Sequence, residues 1–163
     1  QEVDRYTTPL GQLPTRLRGD IERLAILKGD ETAQGDGGGE GVHIHSGNAS
    51  QRISDDRLEE TLFHESIYTS LDDLFVETAE WKQAQMLDGV FLTTYGRENP
   101  GREDFAETAL YAYALIYHSE RIPDAEAAAW QARVPARLAF FDEIFAADAP
   151  IFADTARAVN CDA

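Results

Sequence analysis

A single cysteine, Cys161, stands near the end of this 163-residue chain, so an internal disulfide and a cysteine-rich metal site are both excluded. Positive charge is equally scarce: two lysines and twelve arginines face 30 acidic residues, for a net charge of −16. A surface that tracks phosphates needs clustered positive charge, so neither nucleic acid nor an anionic membrane is expected as a partner. The acidic surface suits solvation in salty surroundings, and it suits plain solubility as well. No apolar run approaches the roughly 18 residues of a membrane span, and the first residues show no basic or apolar leader segment. Gln1 does not initiate translation. The expectation is an exported chain, secreted or periplasmic, whose leader has been removed; a cytosolic chain is the alternative.

Apolar residues make up 43% of the chain and aromatics 10%, which excludes a disordered acidic tail. The length suits one domain over residues 1–163. Residues 1–20, with two prolines and two glycines, read as a loop or a short helix on the domain surface. IERLAILKG (21–29) reads as a strand, and DETAQGDGGGEG (30–41) as a flexible turn between strands. The GDGGG run lacks the lysine and hydroxyl pair of a phosphate-binding loop. GVHIHSG (41–47) alternates with strand period, Val42 and Ile44 on one face and His43 and His45 on the other. Two histidines so placed could bind a metal, or simply face solvent or a cleft.

Residues 48–54 read as a polar loop ending in Ser54, an N-cap for a helix from Asp55 to about Ser70 that breaks up near Asp72 and Asp73. A second helical stretch covers 73–88, with Phe75, Trp81 and Met86 among its apolar members, and Asp88-Gly89 closes it. VFLTTYG (90–96) is too short to assign, and RENPG is a turn. A long helix runs from Glu103 to about Ser119; Asp124 caps the next, and 137–146 and 151–159 supply the last two. The aromatics from 105 to 152 recur at helical spacing and belong to the core. Asp142 and Glu143 read as a solvated helix face. Strands first and helices afterwards make an α+β domain, a small early sheet followed by a helical layer.

The chemistry concentrates in two stretches. LFHESIYTSLDD sets His64 and Tyr68 four residues apart, on one helix face, with Glu65 after the histidine. In HExxH the two imidazoles hold zinc and the glutamate activates water; here the second histidine position holds Tyr68. A phenol ionises near 10, so it ligates a metal at neutral pH only with help from a strong Lewis acid. The second stretch is EDFAE, with Glu103 and Glu107 one turn apart; dipole-favoured acids at a helix start are its simplest reading, with Phe105 in the core.

Taken in order, the strand GVHIHSG, the helix LFHESIYTSLDD, the tyrosine of TTYG and EDFAE resemble the zincin-like metallopeptidases with a glutamate third ligand, the gluzincin arrangement shared with the anthrax lethal factor protease domain. The resemblance spans roughly residues 40–118 and implies a zincin-like fold in which 41–47 is an edge strand. It implies His64 and Glu103 as first and third zinc ligands, with Tyr68 standing in the second ligand's place, Glu65 as general base and Glu107 orienting a ligand from behind. Tyr95 would donate to the oxyanion, and His43 and His45 would lie on the strand beside which an extended peptide binds.

Tyr68 is the departure. Either the metal site is lost, or a His64, Tyr68, Glu103 site holds zinc weakly or prefers another metal. His118 is a poor replacement, since it stands about 22 Å beyond Glu103 on a straight helix, near the C-terminus. Function therefore divides between a zinc-dependent peptidase and a catalytically inactive pseudopeptidase that binds peptide or protein, with a purely structural acidic domain as a third class. Ser66 and Ser70 form no hydrolase triad, and Asp72, Asp73 and Glu77 lack the spacing of a calcium loop.

Overall fold

In the computed structural model, which describes residues 3–36 and 41–146, the chain divides between Ser70 and Leu71 into two units. Residues 37–40 of the glycine run, the 151–159 helix, Phe152 and Cys161 lie outside the described residues. The architecture is mixed α+β, with a three-stranded sheet followed by a helical region.

The first unit opens with two short helices, α1 (Asp4–Gln12) and α2 (Thr15–Arg18). They do more than rest on a surface, for Tyr6 and Leu17 are fully buried and Leu13 nearly so. Next come β1 (Leu24–Leu27), β2 (Gln34–Asp36) and β3 (Gly41–His45). β1 and β3 arise where β-branched and apolar residues gather, and the alternation in β3 holds, with Val42 and Ile44 buried. The strand order is β1-β3-β2, β1 parallel and β2 antiparallel to β3. GVHIHSG is thus the central strand and not an edge. The reason is β2, a three-residue strand inside what reads as a flexible turn, which pairs Gly35 with Val42.

The polar stretch after β3 is also helical, α3 (Ser46–Ser54), rather than a loop. Ser54 ends α3 and does not cap its successor; the chain turns through Asp56 at φ 57° before α4 (Leu58–Ile67). Leu58, Leu62, Phe63 and Ile67 form the buried stripe of α4, which packs on α1, α2, α3, β2 and β3. A π-helical turn, Tyr68–Asp72, follows. Within it Thr69 Oγ1 donates to Gly41 O at 3.2 Å and Ser70 Oγ to Leu17 O at 2.9 Å. Thr69 also reaches back to Glu65 O at 3.3 Å, the kind of back-bonding that loosens a helical ladder.

The second unit contains α5 (Asp73–Phe75), α6 (Ala79–Asp88), α7 (Thr94–Glu98), α8 (Glu103–Tyr117), α9 (Asp124–Arg133) and α10 (Pro135–Ala146). The single helix expected over 73–88 is therefore split. Thr78 caps α6 by accepting from Trp81 N–H, and Gly89 ends it at φ 65°, a left-handed conformation that glycine takes without strain. Asp124 opens α9 as its first residue, one position inside the expected cap. The core is aromatic: Trp81, Phe105, Phe140 and Phe141 pack at centroid separations of 4.9–6.3 Å. Met86 lies outside it, 78% exposed.

A buried ionic network fastens α6, α8 and α10. Arg137 is wholly buried; its Nε donates to Asp88 at 2.9 Å and its Nη1 to both Asp104 oxygens at 2.6 and 2.7 Å. Its Nη2 donates to Val90 O. Asp88 also accepts the Ala136 and Arg137 amides at the start of α10. Every charge here is paired, so deleting one partner strands the others away from water. Arg137→Ala should cost about 3–5 kcal/mol of second-unit stability, measured by urea denaturation followed through Trp81 and Trp130 fluorescence.

Candidate functional site

The residues singled out above distribute between the two units. His43, His45, His64, Glu65 and Tyr68 lie in the first, and Tyr95, Glu103 and Glu107 in the second.

In the first unit, α4 delivers His64 and Tyr68 to one face as the four-residue spacing requires. They bond each other: His64 Nε2 and Tyr68 Oη stand 3.1 Å apart, with the rings edge to face at 5.2 Å. Tyr68 is buried and His64 half-buried. Glu65 accepts a 2.7 Å hydrogen bond from the Gly35 amide of β2. That contact exists because position 35 has no side chain. A Cβ there would meet Glu65 O at 2.1 Å and Tyr68 Cβ at 3.1 Å. β2 thus lies directly against the part of α4 that carries Glu65 and Tyr68.

The β3 histidines face carboxylates. His43 Nε2 is 3.5 Å from Asp36 and His45 Nε2 is 3.6 Å from Glu31, while His45 Nδ1 is 3.3 Å from Thr32 O. Among the described residues β1 pairs with 42–45 on one side of β3 and β2 with 41–43 on the other. Along 41–43 an added strand would therefore have to displace β1 or β2.

In the second unit, Tyr95 lies on α7 and is 50% exposed. Glu103 and Asp104 open α8, where the helix dipole favours acids, and both are buried; Glu107 is half-buried one turn on. Glu103 has Arg102 Nε at 3.6 Å, and its amide donates to Asn99 O. Asp72 stands in the same surroundings. Burial raises its carboxyl to about 7, with help from Asp73 and Glu103 and against the pull of Arg102. Its Oδ1 is buried without a hydrogen bond.

His64 Nε2 and the Tyr68 phenol engage each other, and two residues do not by themselves make a three-ligand metal set. Among the described residues no group of three or more His, Cys, Asp or Glu side chains is gathered to hold a metal. Nor is any helix among them long and apolar enough to cross a membrane. Sequence reasoning missed Gly35, Glu31 and Asp36, and weighed Asp72 only as a calcium ligand. For β2 there was one usable signal, a glycine-rich connection between positions 36 and 41 of the length that joins hairpin strands.

Two outcomes follow. Gly35→Ala should destabilise the first unit by about 1–3 kcal/mol, because its contacts are backbone atoms of α4; chemical denaturation measures this. Asp72, raised to about 7 in the fold against about 3.9 unfolded, favours the folded state while protonated. That contribution is complete below about pH 4 and lost as pH rises through about 7. Asp72→Asn should flatten the fall in stability between pH 5 and pH 8, read by denaturation at both. The chain matches no family model, no curated protein and no solved structure.

Proposed function

We propose that the chain is a catalytically inactive, pseudopeptidase-type module, built on a zincin-like plan, that binds extended peptide or protein segments. One observation carries the reading: the groups that would hold zinc and activate its water are spent on each other and on the chain. Glu65, the residue in the general-base position, takes the Gly35 amide at 2.7 Å, and His64 shares its Nε2 with the Tyr68 phenol at 3.1 Å. A general base must be within reach of the proton it abstracts, and here one of the two Glu65 oxygens, Oε2, is already held by a backbone amide. The phenol replaces the imidazole that a three-ligand zinc site needs.

The binding surface under this reading is the outer edge of β1. Among the described residues β1 pairs only with β3, and Ile26 and Leu27 are 37% and 44% exposed. An extended segment laid there gains main-chain hydrogen bonds, and alternate side chains supply preference. β2 is the poorer edge, since the Gly35 amide is already taken by α4.

Purified protein titrated with zinc by calorimetry should show no tight stoichiometric binding. Peptide hydrolysis should be absent, with no component removed by chelator or by Glu65→Gln. A chelator-sensitive activity that disappears in Glu65→Gln sinks the inactive reading and restores the peptidase. Tyr68→His places two imidazoles one turn apart and should raise zinc affinity at least tenfold; equal affinities would show that position 68 does not limit metal binding.

A further inference from the structure

We propose that the 31–36 segment, ending in β2, is a strap over the α4 face and that acid tightens it through two histidine–carboxylate pairs. Three contacts fasten it. Gly35 N–H donates to Glu65, Asp36 faces His43 Nε2 at 3.5 Å, and Glu31 faces His45 Nε2 at 3.6 Å. The strand itself is only three residues long, so these side-chain contacts are a large share of what holds it.

The geometry at His45 selects a protonation state. Its Nδ1 faces the Thr32 carbonyl and its Nε2 faces the Glu31 carboxylate, and both of these oxygens only accept. A neutral imidazole has one N–H and must turn a lone pair towards one of them; an imidazolium presents an N–H to each. His43 gains in the same sense, since a protonated ring attracts Asp36 and a neutral one does so weakly. The carboxylates set beside the rings are Asp36 and Glu31, with Asp30 against Gly47 in the first turn of α3 and Glu65 at Gly35. In register with the two histidines β1 offers Ala25 and Leu27, and β2 offers Gln34 against His43, none of them charged. Protonation of either ring therefore strengthens closure, so acid favours the seated strap.

Displacing the strap uncovers Glu65 and frees one edge of β3. This regulation concerns the α4 face on which the preceding reading rests. Its test reads strand protection rather than binding or activity, so either idea can fail without the other.

Hydrogen exchange of the 34–36 amides, corrected for intrinsic rates and normalised to the buried Leu62 and Phe63 amides of the same unit, is measured by NMR at pH 5.5 and 7.5. Protection should be about three- to tenfold greater at pH 5.5, the scale of two partly exposed ion pairs. In the His43→Gln, His45→Gln double variant the ratio should fall to about one. Glu31→Gln with Asp36→Asn tests the same pairs from the carboxylate side and serves if the histidine variant does not fold. Protection equal at the two pH values overturns the strap, and so does a ratio that survives removal of either set of partners.

Discussion

The contact between the Gly35 amide and the Glu65 carboxylate decides most of what the first unit can do. At 2.7 Å it is a charge-assisted hydrogen bond, roughly twice as strong as a neutral one. It exists only because glycine lets the strand backbone come within van der Waals reach of the α4 backbone. Once β2 is seated there, β3 becomes the middle of the sheet and its histidines acquire carboxylate neighbours from the same segment. One missing side chain therefore sets the sheet order, the environment of two histidines and the engagement of the acid beside His64.

The second unit rests on a different principle, ionic groups buried together. Asp104 lies between Glu103 and Glu107 in EDFAE, and attention to the glutamates passes over it. It is nevertheless the acid the fold uses, taking both of its oxygens to Arg137 and accepting from Gln85 and Thr108 as well. Asp88 has a similar double life. It ends α6 ahead of Gly89, as its sequence position suggests, and it also caps α10 by accepting two amides. A network of this kind adds little over a well-packed apolar cluster but penalises every arrangement that leaves one member out. It thereby specifies which helix ends meet.

What was legible in the sequence follows the strength of the apolar pattern. α8, α10 and the 79–88 helix could be read from residues such as Trp81, Phe105 and Phe141, whose burial repays a helical period. β3 was legible from its alternation, and the facing of His64 and Tyr68 from a spacing of four. α3 was not, because SGNASQRIS is polar and buries only Ala49 fully. β2 was not, because Gln-Gly-Asp has no apolar side chain and takes its place from a backbone contact thirty positions away. Missing β2 left the sheet looking as if it ended at β3, which let the edge strand implied by the resemblance stand.

Polar groups in a hydrolytic site are held ready at a cost, because their partners arrive only with the substrate or the metal. The α4 face carries little of that cost. His64 meets Tyr68, Glu65 meets Gly35, Thr69 meets Gly41 and Ser70 meets Leu17, so each polar group has a partner supplied by the chain. Asp72 shows the opposite condition: one oxygen is buried without a hydrogen bond, and its carboxyl rises to about 7 in response. Asp72 is thus a group under desolvation strain, whereas Glu65, where the sequence suggests catalysis, has its Oε2 paired with the Gly35 amide.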